Sequence, residues 1–447
     1  MGVTKSAIGV FEEFAEEYLN FEKTPEKNIF WLDTMEFLCG RLGNPELKIP
    51  AFHVAGSKGK GSVSMMIASI LDEAGYKTGL YSSPHILDFI ERIGTCKGPF
   101  EEAVYEKSVK ELMDCVNSVK TEDLPAGRPI TWFELVTLLA ILSFYNAKCD
   151  YSIYEVGLGG RLDATNVLKP AVCCINQIEL EHIEFLGDTV EKIAAEKGGI
   201  IKENTPVFVA KQAESVKEVF RKIAADRSAP IYFVDEISKT SEVVYKNRQL
   251  YCKIESNFFK RPLQVKLNML GEFQAYNAAL AALTVKQAMP DLDEAILEKG
   301  LEKAVLPGRF EIDGNIVFDG AHTVKSIGFT METLGKIYGN GNNSNVHLLF
   351  GCAADKEVEK MTEFFKGKFS KITLTKPGSV KECNLERIKK AFDAAGLEYL
   401  SCGDYLKAIP NAVENAREEK ALLLVTGSFY LVSEVKKYLL CQKCLGK

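Results

Sequence analysis

The sequence predicts an α/β protein with two domains, each built on a mostly parallel sheet, and three observations support this. Short β-rich apolar segments alternate with amphipathic helices, and Gly or Pro turns separate them, as in strand–helix–strand units. The alternation occurs twice, once before residue 290 and again after residue 315, with a Pro-containing stretch between. The chain has 447 residues, which is enough for two or three domains.

In the first half, the clearest unit is a strand at residues 52–55 followed by a helix at 62–74. A small antiparallel insertion is expected where residues 242–245 and 249–252 flank a turn at 246–248. Further strands are predicted at residues 78–82, 151–156, 172–178, 206–210 and 231–234. Together these elements predict an N-terminal domain over residues 1–292.

The second half predicts a smaller doubly wound (Rossmann-like) domain over residues 307–447, joined to the first by a linker at 293–306. A strand at residues 315–319 precedes a helix at 324–338. Further strands, alternating with helices, are predicted at residues 346–351, 371–375, 398–401 and 421–426.

Composition excludes two classes of partner. The net charge is −6 and no basic face is visible, so nucleic acid is not expected as a partner. The longest apolar segment, residues 135–145, is shorter than the ~20 residues of a membrane span and predicts a buried helix. The twelve cysteines are scattered, which favours free thiols in a reducing compartment and a cytoplasmic protein.

A glycine-rich segment lies between the first strand and the first helix. It consists of Gly56, Ser57, Lys58, Gly59, Lys60, Gly61 and Ser62. Backbone N–H groups of such a loop and the following helix N-terminus bind anionic oxygens, and Lys60 can bridge the β- and γ-phosphates while Ser62 ligates Mg²⁺. The spacing departs from GxxxxGK[ST], and the alternative is a glycine-rich turn with incidental lysines. The N-terminal domain is therefore predicted to be of P-loop ATPase type.

Glu155 stands near the C-terminal end of the predicted strand 151–156. Ligands bind at that edge of a parallel sheet, so its carboxylate is expected to face Mg²⁺ at the phosphate loop. The alternative is a carboxylate satisfied by neighbouring protein groups at the strand end.

These segments and several others, in order, resemble the Mur ligase family and specifically its folate branch. The family pattern reads T-N/K-G-K-G-S, S-S-P-H-L, E-x-G-L-G-G-R-L-D-A-T-N, D-H-x-x-x-L-G, E-K-A-G-I, L-P-G-R and D-G-A-H-N. The matching segments here are residues 57–62, 82–86, 155–166, 181–187, 196–200, 306–309 and 319–323. The resemblance spans roughly residues 30 to 430, and this ordered series is far more specific than any one of its elements.

The resemblance implies a ligase that uses ATP to phosphorylate a carboxylate of a reduced folate or dihydropteroate and then joins L-glutamate to it. Two Mg²⁺ sites are implied, with Ser62, Glu155 and His182 as ligands. Lys197 resembles a lysine that CO₂ carbamylates, which would make it an anionic ligand. The alternatives are a structural histidine at position 182 and an ordinary solvated helix lysine at position 197.

Other roles follow from the same resemblance. Asn277 would contact adenine and phosphate, and Arg309 the γ-phosphate. Asp319 would bind ribose or orient that arginine, and His322 would lie near phosphate. Lys60, Lys197 and His322 are the expected catalytic residues.

The folate-binding residues implied by the resemblance are Ser83, His85, Arg92, Thr131 and Phe133. An aromatic side chain at the last site, Phe133 or its neighbour Trp132, could stack on a flat heterocycle, although core packing explains both equally well.

Four departures from the family pattern stand out. Glu181 replaces Asp, Gly198 replaces Ala, Thr323 replaces Asn, and residues 94–99 differ near the expected pterin loop. The last change leaves a non-folate carboxylate acceptor open as an alternative. Two further alternatives are a catalytically silent relative and an ordinary P-loop kinase or GTPase. The complete set of expected site residues argues against the first, and the second domain argues against the other. A monomer is expected.

Overall fold

The computed structural model describes residues 5–20, 31–339 and 345–444. Among these residues, no helix is both long and apolar enough to cross a membrane. The strands are β1 Ala51–Ala55, β2 Thr78–Tyr81, β3 Ile93–Gly94, β4 Tyr151–Glu155, β5 Val172–Ile175, β6 Val207–Val209, β7 Ile231–Phe233, β8 Ser238–Lys246, β9 Gln249–Ser256, β10 Leu263–Leu267, β11 Glu311–Asp313, β12 Ile316–Phe318, β13 Val346–Phe350, β14 Lys371–Leu374, β15 Leu400–Ser401 and β16 Leu422–Thr426.

The helices surround three sheets. They are α1 Ala7–Ala15, α2 Asp33–Arg41, α3 Lys60–Glu73, α4 Glu102–Asn117, α5 Trp132–Ala147, α6 Ile183–Leu186, α7 Val190–Gly198, α8 Glu214–Asp226, α9 Val234–Ile237, α10 Phe273–Ala288, α11 Glu294–Lys303, α12 Val324–Tyr338, α13 Val358–Met361, α14 Leu385–Ala394, α15 Tyr405–Glu418 and α16 Phe429–Cys444.

The first sheet has the order β3-β2-β4-β1-β5-β6-β7, and every neighbouring pair is parallel except β2 with β3. Apolar side chains from α3 and α10 fill one face of this sheet, while α4 and α5 contribute to the core on the other. Strand β1 lies between β4 and β5 and is buried over its whole length. The loop that follows β1 therefore begins between the ends of these two strands. The predicted mostly parallel sheet is confirmed.

The predicted antiparallel insertion is confirmed as the sheet β10-β9-β8. Its turn is shorter than predicted: only Asn247 and Arg248 connect the strands, both with positive φ (52° and 58°). Two residues with positive φ form the turn whose twist matches paired antiparallel strands, so Lys246 remains in β8.

The second sheet has the order β11-β12-β16-β13-β14-β15, parallel except for the β11–β12 hairpin. Helices α12, α13 and α14 cover one face while α15 and α16 cover the other, which confirms a doubly wound domain. Strand β11 was not predicted, so Asp319 follows the second strand of this domain and not the first.

The expected linker at residues 293–306 contains the helix Glu294–Lys303. Asp293 caps its N-terminus, and Leu297 and Leu301 are fully buried within the same core as α3. After this helix the chain continues through Ala304, which is extended, toward β11 of the second sheet.

Candidate active site

The phosphate loop is shaped by two glycines with positive φ, Gly56 (140°) and Gly59 (77°). A Cβ on Gly56 would lie 2.8 Å from the Cβ of Asn176, at the end of β5, so a side chain has no room there. The Lys60 ammonium donates a hydrogen bond to the Gly56 carbonyl across 3.1 Å, which folds the lysine back over the loop. Helix α3 begins at Lys60, so its N-terminus and the loop's N–H groups together favour an anion.

Glu155 ends β4 and pairs in register with Val54 of β1, which places it beside the phosphate loop. The backbone N–H of Ser83 donates to Glu155 Oε2 over 3.2 Å. A Cβ on Gly61 would lie 3.3 Å from the same oxygen. Burial raises the pKa of Glu155, and nearby Lys60 only partly opposes this rise. The charge of this buried carboxylate is therefore only partly neutralised by protein groups. Such a carboxylate is suited to bind a cation.

Lys197 lies at the end of α7, 2 % exposed, and its ammonium pairs with Glu181 Oε1 at 2.9 Å. The same carboxylate reaches Lys58 of the phosphate loop at 3.9 Å. Burial, together with Lys60, lowers the pKa of Lys197 to about 8 although Glu181 opposes the shift. Glu181, which stands where the family pattern has Asp, therefore forms a direct ion pair with Lys197.

His182 follows Glu181 and adopts the left-handed conformation (φ 45°) where α6 begins. Burial lowers the pKa of its imidazole, and Lys197 and Lys60 contribute to the same shift. A neutral imidazole beside the phosphate loop has a lone pair suited to a metal ion.

A chain of side-chain amides links β5 to the start of α3. Asn176 donates to Asn277 Oδ1 (2.8 Å), Asn277 donates to Gln274 Oε1 (2.9 Å), and Gln274 donates to Ser62 Oγ (3.2 Å). Asn277 and Gln274 are one turn apart on α10, so both side chains can face the loop. Gln274 and Asn176 were not predicted to belong to this chain of hydrogen bonds, although the i, i+3 spacing of Gln274 and Asn277 indicates that these two side chains share one face of the helix.

The second domain contributes Arg309, Asp319 and His322 to the same region. The Arg309 guanidinium carbon lies 4.2 Å from the centre of the Phe429 ring. Asp319 accepts hydrogen bonds from the Ala321 N–H (2.9 Å) and the Thr330 hydroxyl (3.0 Å). Burial raises the pKa of Asp319 to about 6, although Arg309 acts in the opposite direction.

His322 donates from Nδ1 to the Gly320 carbonyl over 2.8 Å, since a carbonyl can only accept. Burial lowers the pKa of this imidazole to about 4, so at neutral pH the remaining nitrogen, Nε2, is an acceptor. A neutral His322 in this geometry offers no second N–H to a phosphate, which limits the predicted phosphate contact. Thr323, the departure beside it, caps α12 through a hydrogen bond with Ser326.

The residues predicted at the acceptor side fall into two groups. Ser83, His85 and Arg92 belong to one loop, where Arg92 Nε donates to His85 Nδ1 over 2.9 Å. The Arg92 guanidinium carbon also lies 5.0 Å from the centre of the Trp132 ring. Arg92 is buried, so the loop carries a fixed positive charge close to Glu155.

The other group lies at the start of α5. The hydroxyl of Thr131 donates to Glu134 Oε2 over 2.8 Å and caps the helix, so the structure gives Thr131 a structural role. The Phe133 ring packs so closely on Gly157 that a Cβ there would lie 2.4 Å from it. Phe133 therefore supports the loop that follows β4, and Trp132 packs against Arg92 and Phe89.

The donor set fits Mg²⁺. Within the described residues, no three His, Cys, Asp and Glu side chains are arranged as a metal-binding cluster. Mg²⁺ commonly takes one or two carboxylates and completes its shell with water and phosphate oxygens. The Glu155 carboxylate and the Ser62 hydroxyl beside an anion-binding loop meet that requirement.

Comparison with known proteins agrees with this geometry. Residues 54–285 match the family model of the Mur ligase middle domain, and residues 308–429 match that of the Mur ligase glutamate ligase domain. The chain belongs to the Mur ligase family. It is an ATP-dependent ligase, and the family assignment made from the motifs is confirmed.

Full-length relatives of this ligase come from several bacteria. The chain is 32 % identical over 418 residues to a dihydrofolate synthase/folylpolyglutamate synthase of Bacillus subtilis, covering 91 % of this chain and 94 % of the relative. It is 29 % identical to the folylpolyglutamate synthase of Lacticaseibacillus casei, covering 90 % and 93 %. The crystal structure of the Thermotoga maritima folylpolyglutamate synthase superposes with a TM-score of 0.81 at 26 % identity, covering 97 % and 96 % of the two chains.

Proposed function

We propose that this ligase adds L-glutamate to the carboxylate of a folate or pteroate. The loop that contains Ser83, His85 and Arg92 is called the acceptor loop below. The hydrogen bond from the Ser83 N–H to Glu155 carries this proposal, because it joins the acceptor loop directly to the carboxylate at the phosphate loop. An acceptor on the Ser83–Arg92 side would therefore end close to the γ-phosphate. A structure similar to this chain (TM-score 0.80, 25 % identity, 98 % of this chain and 100 % of that one) is a folylpolyglutamate synthase complex with AMPPCP and folate.

The acceptor side is suited to an anionic substrate with a flat ring. Arg92 supplies a buried cation, and Trp132 presents a partly exposed ring next to it. Because Arg92 donates to His85 Nδ1, that nitrogen acts as the acceptor and the two side chains fix each other's orientation. These groups bind and orient the acceptor, and we infer no proton transfer by them.

The reaction proceeds in two steps that need no protein nucleophile. The acceptor carboxylate attacks the γ-phosphorus of ATP, giving an acyl phosphate and ADP. The amine of L-glutamate then attacks the acyl carbon, loses a proton and displaces inorganic phosphate. Lys60, the loop N–H groups and Arg309 bind the phosphoryl oxygens as their charge changes, so catalysis rests on orientation and electrostatic stabilisation.

We assign Mg²⁺ to Ser62 and Glu155 and a second Mg²⁺ to the neighbourhood of His182 and Lys197. The metal would neutralise charge on the phosphates when it is bound. Carbamylation of Lys197 would supply an anionic oxygen there, and the lowered pKa of this buried amine favours the neutral form that reacts with CO₂. The ion pair with Glu181 opposes that reaction, so carbamylation requires this contact to open.

L-Glutamate would bind at the C-terminal edge of the second sheet. His322 follows β12, and Lys356 follows β13 and lies close enough to lower the pKa of His322 further. A neutral His322 Nε2 can accept a hydrogen bond from the amine while Lys356 attracts a carboxylate. We further propose that the domains divide after α11 ends at Lys303, at the end of the predicted linker, and that the ligase acts as a cytoplasmic monomer.

The test is Mg²⁺-dependent ADP release by the purified protein with L-glutamate and dihydropteroate, with L-glutamate and tetrahydrofolate, and with L-glutamate alone. Release that needs glutamate and one pterin, with a product heavier by one glutamyl residue, supports the proposal and names the acceptor. ATP binding without turnover on either pterin would contradict it and favour a Mur-type ligase for another carboxylate.

A further inference from the structure

Three buried polar side chains form a hydrogen-bonded chain next to the active site. His53 lies on β1, three residues before Gly56, and it is completely buried together with Thr165. His53 Nε2 is 2.8 Å from Thr165 Oγ1, and Thr165 Oγ1 is 2.5 Å from Asp163 Oδ1. The chain therefore runs from the strand that precedes the phosphate loop to the loop that follows β4.

The direction of these hydrogen bonds follows from the groups involved. An ionised carboxylate only accepts, and Asp163 accepts from the backbone N–H groups of Leu158 (2.9 Å) and Thr165 (3.0 Å) as well. The Thr165 hydroxyl must then give its proton to Asp163, so His53 donates its Nε2 proton to Thr165. His53 Nδ1 has no hydrogen-bond partner within the described part of the chain, as expected of a bare lone pair. Burial lowers the pKa of His53 to about 3, which keeps this ring neutral.

The loop held by this chain packs directly on the end of α7. A Cβ on Gly160 would lie 2.9 Å from the carbonyl oxygens of Glu196 and Lys197. The Arg161 N–H donates to the Glu196 carbonyl over 2.7 Å, and its guanidinium pairs with the Glu196 carboxylate at 3.0 Å. The Asn166 amide donates to the Gly199 carbonyl over 3.1 Å. The backbone on either side of Lys197 thus packs against and is hydrogen-bonded to residues 157–166.

We propose that His53 and Thr165 are positioning residues of the ligase reaction: through Asp163 they fix the 157–166 loop against α7 and so hold Lys197 beside the phosphate loop. Neither side chain is accessible to a substrate, so their effect must pass through the loop. This inference rests on the proposed role of Lys197. A purely structural role would lower only the stability of the fold. This proposal predicts that kcat falls in protein that remains folded.

Thr165→Val and Thr165→Ser form the matched pair that tests it. Valine keeps the shape but removes the hydroxyl, leaving Asp163 and His53 without their shared partner, whereas serine keeps the hydroxyl. For Thr165→Val we expect kcat to fall about 10- to 100-fold, as for lost outer-shell contacts, while KM for ATP changes by less than about twofold. Thr165→Ser should restore most of kcat. Thr284→Val removes another fully buried hydroxyl, bonded within α10 to Leu280 at 2.7 Å, and should leave kcat unchanged.

His53→Leu breaks the other end of the same chain. Because both substitutions interrupt one unit, the double variant His53→Leu/Thr165→Val should lose little more kcat than either single variant. Fully multiplicative losses would overturn the proposal, and so would equal losses in the valine, serine and Thr284→Val proteins.

A second measurement needs no acceptor. Hydrogen exchange of the protein without substrates, followed by mass spectrometry, should show faster exchange at residues 157–166 and 190–199 in Thr165→Val but not in Thr165→Ser. Faster exchange confined to residues 157–166, or equal rates in all variants, would overturn the inference. If no pterin is turned over by the wild-type protein, the exchange data still decide this inference, and only the acceptor assignment fails.

Discussion

Asp319→Asn should stabilise the fold and impair the reaction. Asp319 lies at the end of β12, partly shielded from solvent, with a pKa raised to about 6 by burial. Asparagine keeps an acceptor for the Ala321 N–H, and its amide can donate to the Thr330 hydroxyl. The substitution therefore removes the charge with little change in shape.

The magnitude follows from the pKa. Relative to 3.8 in the unfolded chain, a folded value of about 6 means that the folded state holds more protons between these two pH values. The charged form then costs stability that grows as pH rises through this window, to an upper limit of about 3 kcal/mol at pH 8, from ~1.4 kcal/mol per pKa unit. At pH 5 the same calculation gives about 1.6 kcal/mol. Partial solvent exposure reduces both values, whereas the attraction to Arg309 is already contained in the folded pKa.

Urea denaturation at pH 5 and pH 8 provides the assay. The variant should gain more stability at pH 8 than at pH 5, by about 1 kcal/mol. ADP release should fall at least about 10-fold, because the attraction between the Asp319 carboxylate and Arg309 is lost. A variant that is equally stabilised at both pH values, or less stable than the parent at pH 8, would refute the assignment of a buried, destabilising charge to Asp319.

Other predictions concern both function and fold. Glu155→Gln should raise the midpoint of thermal unfolding without Mg²⁺, because burial disfavours the charged carboxylate. The same substitution should abolish Mg²⁺-dependent ADP release, and retained Mg²⁺-dependent turnover would exclude Glu155 as a ligand. Lys60→Met should lower kcat about 10²- to 10³-fold in the same assay, and a smaller loss than tenfold would mean that this lysine is not needed in the transition state. Glu294→Gln breaks a buried ion pair with Lys286 (2.9 Å) and should lower the free energy of unfolding in urea by about 3–5 kcal/mol. Glu298 is more exposed on the same helix, and Glu298→Gln should lower it by at most about 1 kcal/mol. Equal losses of stability in the two variants would contradict this reasoning.

The order of strands and helices was largely readable because periodicity and turn residues agree. The helix Val324–Tyr338 has the predicted bounds, and the large strands differ only at their ends. Strand β11 has only three residues with an acid at each end, so it carries no apolar run to detect. The prolines at 290 and 307 that flank helix α11 favour a linker there, although its buried leucines follow helical spacing.

A site residue was predictable where its position in a single strand or motif places it at the phosphate loop. Glu155 stands at a strand end, and parallel pairing with β1 places it at the phosphate loop. The pair between Glu181 and Lys197 joins residues 16 positions apart across a short helix, and no local pattern specifies such a contact. Nor does sequence distinguish Thr131 as a helix cap from Thr131 as a ligand, because the same hydroxyl serves either purpose.

The position of Arg309 depends on both domains, and this bears on how the reaction is controlled. Leu306, just before it, lies 3.5 Å from where a Cβ on Gly61 of the phosphate loop would be. A Cβ on Gly308 would lie 2.9 Å from Ile86 of the acceptor loop, and the Gly308 carbonyl accepts from the Gly320 N–H of the second domain at 2.9 Å. Residues 306–309 thus contact the phosphate loop, the loop that contains Ile86, and the second domain within four positions. Because Gly308 is hydrogen-bonded to the second domain, a rotation of that domain would move Arg309 relative to the phosphate loop, and we infer that the proposed phosphoryl transfer depends on how the two domains are placed.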